Sequence, residues 1–600
     1  MPELSFKGKE FVFNHHLAVP HRPLVPDAAK SVGEPRLDGN LIIHGDNLHA
    51  LKSLLPMYAG KVDCVFIDPP YNTGNERWCY NDNVNSPMMQ QWLNENPVGI
   101  EDGLRHDKWC AMMWPRLRLL HDLLSEQGTI FIAIDDNETH HLRMLMDGIF
   151  GDDFFVAEVI WRSSDSSRND AKRFSLDHNT IFVYSKNPDW ISNKLDRDNV
   201  TNAHYSNPDN DPKGPWFPGN LSSPNPRDNL RYTIDHPDGR KLQPPANGWR
   251  WSKEVVQEKI TTGEIVFANT ERGILRKTYL SDQGGISPSS LWTDLKETGH
   301  NRNAKYELVR IFPEYETAEL FATPKPTKLL LKAFHVEGNK NATILDSFAG
   351  SGTTAHAVLS ANQKDGGNRK FILVECEEYA DTLTAERVRR VIGGYDFQGT
   401  QREELLKKSI TFTDLKNSSK LLQQIAGIEN MESHRFDKIE KKVKDGELLV
   451  EGVKSITDRV EGLGGSFTYC TLGEAIDMEK MLTGENLPGF EQLGALLFHT
   501  ATNEVIDPAK IEVKDGHGYL GESISFHVWL IYKPELDFLK SRDSALTLTK
   551  AKEFAASKPG KRHLVFAPAK FVSQKVLDEE RVPVEFAPLP WALYRIDRSR

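Results

Sequence analysis

The sequence predicts an α/β fold, a doubly wound and mostly parallel sheet with helices on both faces. Three observations lead there. From Leu41 to about Lys186, short β-branched runs such as LIIHGD, VDCVFIDPP and GTIFIAIDD alternate with the amphipathic stretches HALKSLLPMY and WPRLRLLHDLLSEQ. That is the pattern of strands buried between helical layers. The same alternation returns in ATILDSFAGSGTTAHAVLSA and KFILVE, up to about Ile392. Between the two, the periodicity stops, so the intervening chain reads as an insertion hung on one sheet.

The elements follow in chain order. Residues 1–40 contain several prolines and little periodicity, and read as an N-terminal arm. Residues 41–190 form the first part of the sheet domain. Residues 191–319 are rich in Pro, Gly, Asn and Asp, carry Trp216, Trp249, Trp251 and Trp292, and read as a loop-rich inserted module. Residues 320–392 form the second part of the sheet domain. Residues 393–460, above all 402–445, mix both charges and read as a helical linker. Residues 461–600 read as a C-terminal α+β module. A chain of 600 residues and 68.0 kDa exceeds one core, which supports this multi-part division.

Composition removes several classes. Hydrophobic residues make up 39% and charged residues 26%, which excludes a largely disordered chain. A mean hydropathy of -0.50 and the lack of a long uncharged apolar stretch argue against a spanning helix. The start, MPELSFKGKE, lacks the basic-then-apolar order of a secretory signal, so the cytoplasm is the expected compartment. Net charge is 74 − 85 = −11. A nucleic-acid-binding chain of this charge must concentrate its cations in a cleft. The five cysteines, Cys64, Cys79, Cys110, Cys376 and Cys470, are scattered and form no CxxC pair, so neither a disulfide framework nor a zinc ribbon is expected. No metal site is expected.

Two motifs carry chemistry. Asp68-Pro69-Pro70-Tyr71 closes the strand VDCVFI. A strand-terminal Asp sits at the carboxyl edge, where open α/β sheets place ligands. The prolines stiffen the backbone and remove two N–H donors. A carboxylate, backbone carbonyls and an aromatic ring remain, a set that suits the exocyclic amino group of a planar base. Asp68 and the Pro69 carbonyl can each accept an N–H, and Tyr71 can stack on the ring. The alternative is an ordinary turn with a structural Tyr.

The second motif is Asp346-Ser347-Phe348-Ala349-Gly350-Ser351-Gly352, leading into a helix that starts at Thr353. Glycines at a strand-to-helix turn allow close backbone approach by a ligand. The third glycine of the dinucleotide fingerprint is absent, so a nicotinamide reading is weak. The next strand, KFILVE, ends in Glu375, an acid at the distance where a ribose diol is held. Turn and acid together read as a nucleoside-cofactor site; the alternative for Glu375 is a solvated strand end beside Glu377 and Glu378.

Together these strings resemble the amino-group DNA methyltransferases that use S-adenosylmethionine. DPPY precedes FxGxG, and that permuted order resembles the β class, with its target-recognition insert between the two. The resemblance implies a Rossmann-like methyltransferase sheet. Leu41–Asn47 is similar to the strand of that class that contacts the cofactor, which implies a cofactor role for Asp46 and Asn47. Phe321-Ala322-Thr323-Pro324-Lys325-Pro326 resembles its "F-x-x-x-KP" segment and brings Lys325 into the cofactor set. Asp68 to Gly74 with Tyr80-Asn81-Asp82, Ile134 to Glu138, and Gly464 to Phe467 are similar to the Mod subunits of type III restriction-modification systems.

The resemblance implies a base-flipping DNA methyltransferase. Asp68 in the motif's first position, where cytosine-N4 enzymes often carry Ser, implies adenine N6 as the target. It also implies double-stranded DNA as substrate, a homodimer, and docking of an ATP-dependent restriction (Res) partner on residues 393–600. No Walker A string appears, so ATP-driven cleavage would belong to another chain. Alternatives are a specificity scaffold with secondary methylation, a cytosine-N4 enzyme and an RNA methyltransferase. Within the insert, Arg227, Arg231, Trp249, Arg250, Arg272 and Arg276 are the candidates for DNA recognition, since Arg can pair bidentately with guanine and aromatics can wedge or stack. For each, core Trp or solvated Arg is the alternative.

Overall fold

Ten strands form one sheet in the computed structural model, which describes residues 3–73, 103–169, 171–198, 201–268, 273–316, 320–416, 418–444, 447–477, 480–481 and 484–589. In chain order they are β1 (Leu24–Val32), β2 (Leu41–His44), β3 (Val62–Ile67), β4 (Leu124–Ile134), β5 (Phe155–Arg162), β6 (His178–Ser185), β7 (Leu291–Trp292), β8 (Thr343–Asp346), β9 (Lys370–Glu375) and β10 (Phe467–Leu472). In space the order is β1-β10-β2-β9-β8-β3-β4-β6-β5-β7. The six neighbours from β10 to β4 are all parallel. β6 and β5 continue antiparallel, and β1 closes the other edge antiparallel to β10. The DPPY strand β3 and the Gly-rich strand β8 are therefore direct neighbours, with Ile344 opposite Cys64 and Leu345 opposite Val65.

Helices cover both faces. α1 (Asn47–Tyr58), α2 (Arg105–Leu123) and α3 (Thr139–Phe150) pack together on one side. Leu41, Ile43, Val65, Ile67, Leu345 and Val374 join their core. The alternate residues Ile42, Cys64, Phe66, Ile344 and Phe371 are equally buried and point the other way. There α4 (Thr327–Glu337) and α5 (Thr353–Asp365) pack against the sheet. Burial on two faces explains why these strands read as continuous apolar runs.

Four boundaries differ from the sequence expectation. The N-terminal arm is partly a strand: β1 pairs with β10, which lies more than 430 residues further along the chain. The C-terminal module is not separate from the sheet, because β10 inserts between β1 and β2. The expected helical linker 393–460 is largely β. Tyr395–Ser409 pairs with Glu447–Val460, which also pairs with Lys438–Lys444; the helix Ser418–Glu432 supplies Ile425 to a small core with Leu448 and Val450. Its balanced charges meet across strands, as Lys407–Glu447 at 3.2 Å and Lys442–Glu451 at 3.3 Å do.

The insert is narrower than 191–319. The chain divides into two compact units, Ser192–Pro288 and the rest. Residues after Pro288 rejoin the sheet unit, because Leu291–Trp292 pairs with Ile160–Trp161. The smaller unit has a three-stranded antiparallel sheet, Trp216–Gly219, Ile274–Tyr279 and Ile265–Phe267, over a core that includes Leu221, Ile234, Trp249, Val256 and Ile265. Beyond β10, a five-stranded sheet runs Glu512–Lys514, His517–Glu522, Phe526–Leu530, Arg562–Ala567 and Val584–Pro588, with the last three parallel. Among the described residues no helix is long and apolar enough to cross a membrane.

Candidate active site

Five neighbouring parallel strands end in acids at one edge of the sheet. In spatial order these are Asp46 after β2, Glu375 on β9, Asp346 on β8, Asp68 after β3 and Asp135 after β4. Parallel strands bring their carboxyl ends together, so the topology itself gathers these side chains.

Asp68 stands one residue beyond β3. One of its oxygens, Oδ2, forms an ion pair with the ammonium of Lys325. The other, Oδ1, is shielded from solvent and has no hydrogen-bond partner among the described residues. The Lys325 Nζ also lies 5.1 Å from the centre of the Tyr71 ring. Burial, and then the Asp68 charge, push the Tyr71 phenol well above its ordinary range. The loop is pinned from behind. Trp109 Nε1 donates to the Pro70 carbonyl at 2.7 Å. Asn72, buried and left-handed with φ 59°, donates to Glu138 and to the Arg105 carbonyl. The buried Glu138 carboxylate also holds His106 Nδ1 and His141 Nδ1, each at 2.7 Å. Gly74 and Tyr80-Asn81-Asp82, which also carried the resemblance, lie outside the described residues.

The Gly-rich turn lies one strand away. Gly350 and Gly352 have φ of 50° and 76°, where a side chain is strained. A Cβ on Gly350 would stand 2.9 Å from Phe321 Cζ, and one on Gly352 would stand 2.9 Å from the Thr384 carbonyl oxygen. Glu375 Oε2 accepts the Gly350 N–H at 2.7 Å, while Oε1 accepts from Cys376 at 2.9 Å and Glu377 at 3.0 Å. Glu375 is thus buried and organises the turn, instead of being a solvated strand end. Asp346 accepts from the Phe348 N–H at 3.0 Å and from the Thr354 hydroxyl. Burial pushes its carboxyl up to about 7, with Asp68 and Glu375 adding to the rise. Phe348 is itself buried. Asp46 caps α1 by accepting from Leu48 at 2.9 Å and His49 at 3.3 Å, and Asn47 Nδ2 donates to the Ser347 carbonyl at 2.9 Å.

Two buried arginines escaped sequence reasoning. Arg116 on α2 donates to Asn47 Oδ1 at 2.5 Å and reaches Asp46 at 3.4 Å. Arg387 donates to Thr353 Oγ1 at 2.8 Å and Ser351 Oγ at 3.0 Å, and lies 3.4 Å from Glu307. Neither has a motif around it; each sits in a helix whose sequence reads as an amphipathic face with exposed cations. Lys325, which the resemblance put with the cofactor residues, forms an ion pair with Asp68.

In the smaller unit, Arg227, Arg231 and Arg250 are exposed. Arg231 is paired to Asp228 at 3.3 Å. Arg250 and Arg276 lie 5.5 and 5.2 Å from the Trp251 ring. Trp249 corrects an expectation: it is a core residue, 3% exposed, with its Nε1 donating to the Tyr232 carbonyl at 2.6 Å, so it presents no face to a base. Arg272 lies outside the described residues.

A family model described as a DNA methylase matches residues 62–386, more than half of the chain and spanning both the DPPY and Gly-rich edges. The chain belongs to the DNA methylase family. The chain is 31% identical to the type III restriction-modification enzyme StyLTI Mod subunit of Salmonella typhimurium, over 65% of its own length and 62% of that protein. It is 30% identical to the EcoPI Mod subunit of Escherichia phage P1, over 64% of each chain. It is also 30% identical to the type II methyltransferase M.KpnI of Klebsiella pneumoniae, over 58% of its length and 83% of that protein. The match thus spans less than two thirds of those Mod relatives.

Proposed function

We propose that this DNA methylase transfers a methyl group from S-adenosylmethionine to the N6 amino group of an adenine flipped out of duplex DNA. One observation carries the reading: the Asp68 edge and the Gly350–Gly352 turn end adjacent parallel strands, so an amino group held at the first faces a donor held at the second.

The residues present fit that cofactor. Gly350 and Gly352 let the turn close against Phe321 and the Thr384 carbonyl, where no side chain would fit, and Glu375 is a buried carboxylate on the neighbouring strand that holds this turn. When bound, S-adenosylmethionine supplies an already activated methyl group on a sulfonium. The chain's own part is positioning. Adenine N6 is a poor nucleophile because its lone pair is delocalised into the ring. Asp68 and the Pro69 carbonyl accept its two N–H bonds and so favour a tetrahedral nitrogen as attack develops. Tyr71 replaces the stacking lost on flipping. No covalent enzyme intermediate is required.

The finer reading is a permuted, Mod-like chain, with the base-binding half before the cofactor half and a recognition unit between them. Double-stranded DNA, a second copy of the chain and an ATP-dependent restriction subunit are the partners that this reading entails. The similarity to Mod subunits supports it. The test is to incubate the purified chain with tritiated S-adenosylmethionine and unmethylated bacterial genomic DNA, or RNA, and then chromatograph the nucleosides. Label in N6-methyladenosine of DNA is expected. Label in N4-methylcytosine, label confined to RNA, or no transfer would overturn the reading.

A further inference from the structure

We propose that Lys325 is the positioning residue of the target-base pocket: its ammonium fixes the Asp68 carboxylate in the orientation in which that carboxylate receives the amino group. This deepens the proposed methyl transfer and rests on it.

The Asp68 carboxylate has two oxygens, each able to accept at two lone-pair sites. Among the described residues Oδ1 is shielded from solvent and accepts no hydrogen bond, while the Tyr71 phenol lies near enough to interact with the carboxylate. Oδ2 is held by Lys325. Among the described residues the ion pair that holds the carboxylate comes from Lys325, in a segment 257 residues away. Oδ2 retains a second lone-pair site, at which a target N–H can join the Lys325 N–H.

The surroundings make that cation necessary. Asp346 lies on the adjacent strand, close enough to feel the Asp68 charge, and Asp135 follows the strand on the other side. A carboxylate among carboxylates would turn away or draw in water if left unneutralised. Lys325 is only 8% exposed, and its backbone is held by Pro324 and Pro326 on either side, so the ammonium is delivered from a stiff segment. Its Nζ also sits 5.1 Å from the Tyr71 ring centre. It thus touches the carboxylate and lies over the ring that are to hold the base, and among the described residues Lys325 forms no hydrogen bond or ion pair with Gly350, Gly352 or Glu375. Lys rather than Arg fits here as a compact point charge on a single oxygen.

The test uses the full chain with Lys325→Ala and Lys325→Arg, unmethylated bacterial genomic DNA and tritiated S-adenosylmethionine. Lys325→Ala should lower kcat at least tenfold and leave calorimetric affinity for S-adenosylmethionine within about twofold. Added ethylammonium should restore turnover saturably, while tetramethylammonium at equal ionic strength should not. Lys325→Arg should keep more activity than Lys325→Ala. Loss of cofactor affinity in Lys325→Ala would return Lys325 to the cofactor site and overturn the proposal. So would unchanged kcat, or a loss that neither ethylammonium nor Lys325→Arg relieves. If the unmodified chain transfers no methyl group, the underlying reading of the site has failed, a result distinct from any of these.

Discussion

Glu375 accepts the N–H of Gly350 at 2.7 Å, so the acid at the end of one strand holds the turn that follows its neighbour. The same carboxylate takes the amides of Cys376 and Glu377 through its other oxygen. A charge-assisted bond to a backbone amide is worth about 1.5–3 kcal/mol. Glu375→Ala should therefore disorder the Gly-rich turn as well as remove a ribose acceptor. Calorimetry should show S-adenosylmethionine binding weakened at least tenfold, with Glu375→Gln intermediate because one oxygen can still accept. Equal affinity in Glu375→Gln and Glu375→Ala would show that the turn does not depend on this side chain.

Gly350→Val should weaken the cofactor by a different route. The residue has φ 50°, and a Cβ there would press on Phe321 at 2.9 Å. Phe321 lies edge-on to Tyr379, with ring centres 5.8 Å apart, which restricts its retreat. Affinity should fall at least tenfold, about 1.4 kcal/mol. An unchanged binding isotherm would place the cofactor elsewhere.

Asp68→Ala should abolish turnover and spare cofactor binding, because among the described residues Asp68 forms no hydrogen bond or ion pair with the Gly-rich turn. Activity within about tenfold of the parent, roughly 1.4 kcal/mol of barrier, would contradict the base-holding role. Tyr71→Ala should cost less, on the order of the 1–3 kcal/mol of one base-stacking contact.

Asp346 gives a pH prediction with a definite sign. Its folded carboxyl titrates at about 7, above the ordinary 3.8, and burial is the main cause. A raised acid contributes stability at low pH and loses it as pH rises through the folded value. The penalty accumulates between about pH 4 and 7 and levels off above. Asp346→Asn keeps an acceptor for the Phe348 N–H and removes the charge. Its melting temperature relative to the parent should rise from pH 4 to 7 and then hold. A difference independent of pH would show that Asp346 is not the titrating group.

What the sequence revealed and what it hid follow from the range of the interactions. β2, β3, β4, β8 and β9 are legible because burial on both faces writes apolar runs, and because Asp46, Asp68, Asp135, Asp346 and Glu375 mark their carboxyl ends. β10 carries the same kind of run, FTYCTL, but its place between β1 and β2 depends on pairing across more than 420 residues. The stretch 393–460 misleads because alternating Lys and Glu suit a solvated helix as well as a strand whose charges pair sideways. Arg116 and Arg387 look exposed in their helices; only the tertiary fold shows that each is fully buried against polar partners.

The placement of β10 changes the expected result of truncation. A chain ending at Ile392 keeps both motif strings and, by sequence alone, should still bind cofactor. In the structure it would lose β10, which hydrogen-bonds to β2 through Thr468, Tyr469, Cys470 and Thr471. β2 leads directly into Asp46 and Asn47, so an unpaired β2 would loosen the cofactor edge, and β1 would lose its partner. The truncated chain should therefore unfold cooperatively at lower temperature and bind S-adenosylmethionine poorly. The hairpin domain 395–460 is different, because its two ends meet. Leu463 N donates to the Val391 carbonyl at 2.9 Å, and Gly464 N donates to the Ile392 carbonyl at 3.1 Å. Joining Gly394 to Gly462 through a short Gly-Ser link should leave the sheet intact and cofactor affinity within about threefold, roughly 0.7 kcal/mol. Thermal unfolding and calorimetry on both chains decide the matter. If the chain ending at Ile392 binds normally, β10 is dispensable and the catalytic unit ends where the sequence pattern does. If the joined chain fails while its secondary structure is retained, residues 395–460 support the cofactor edge directly.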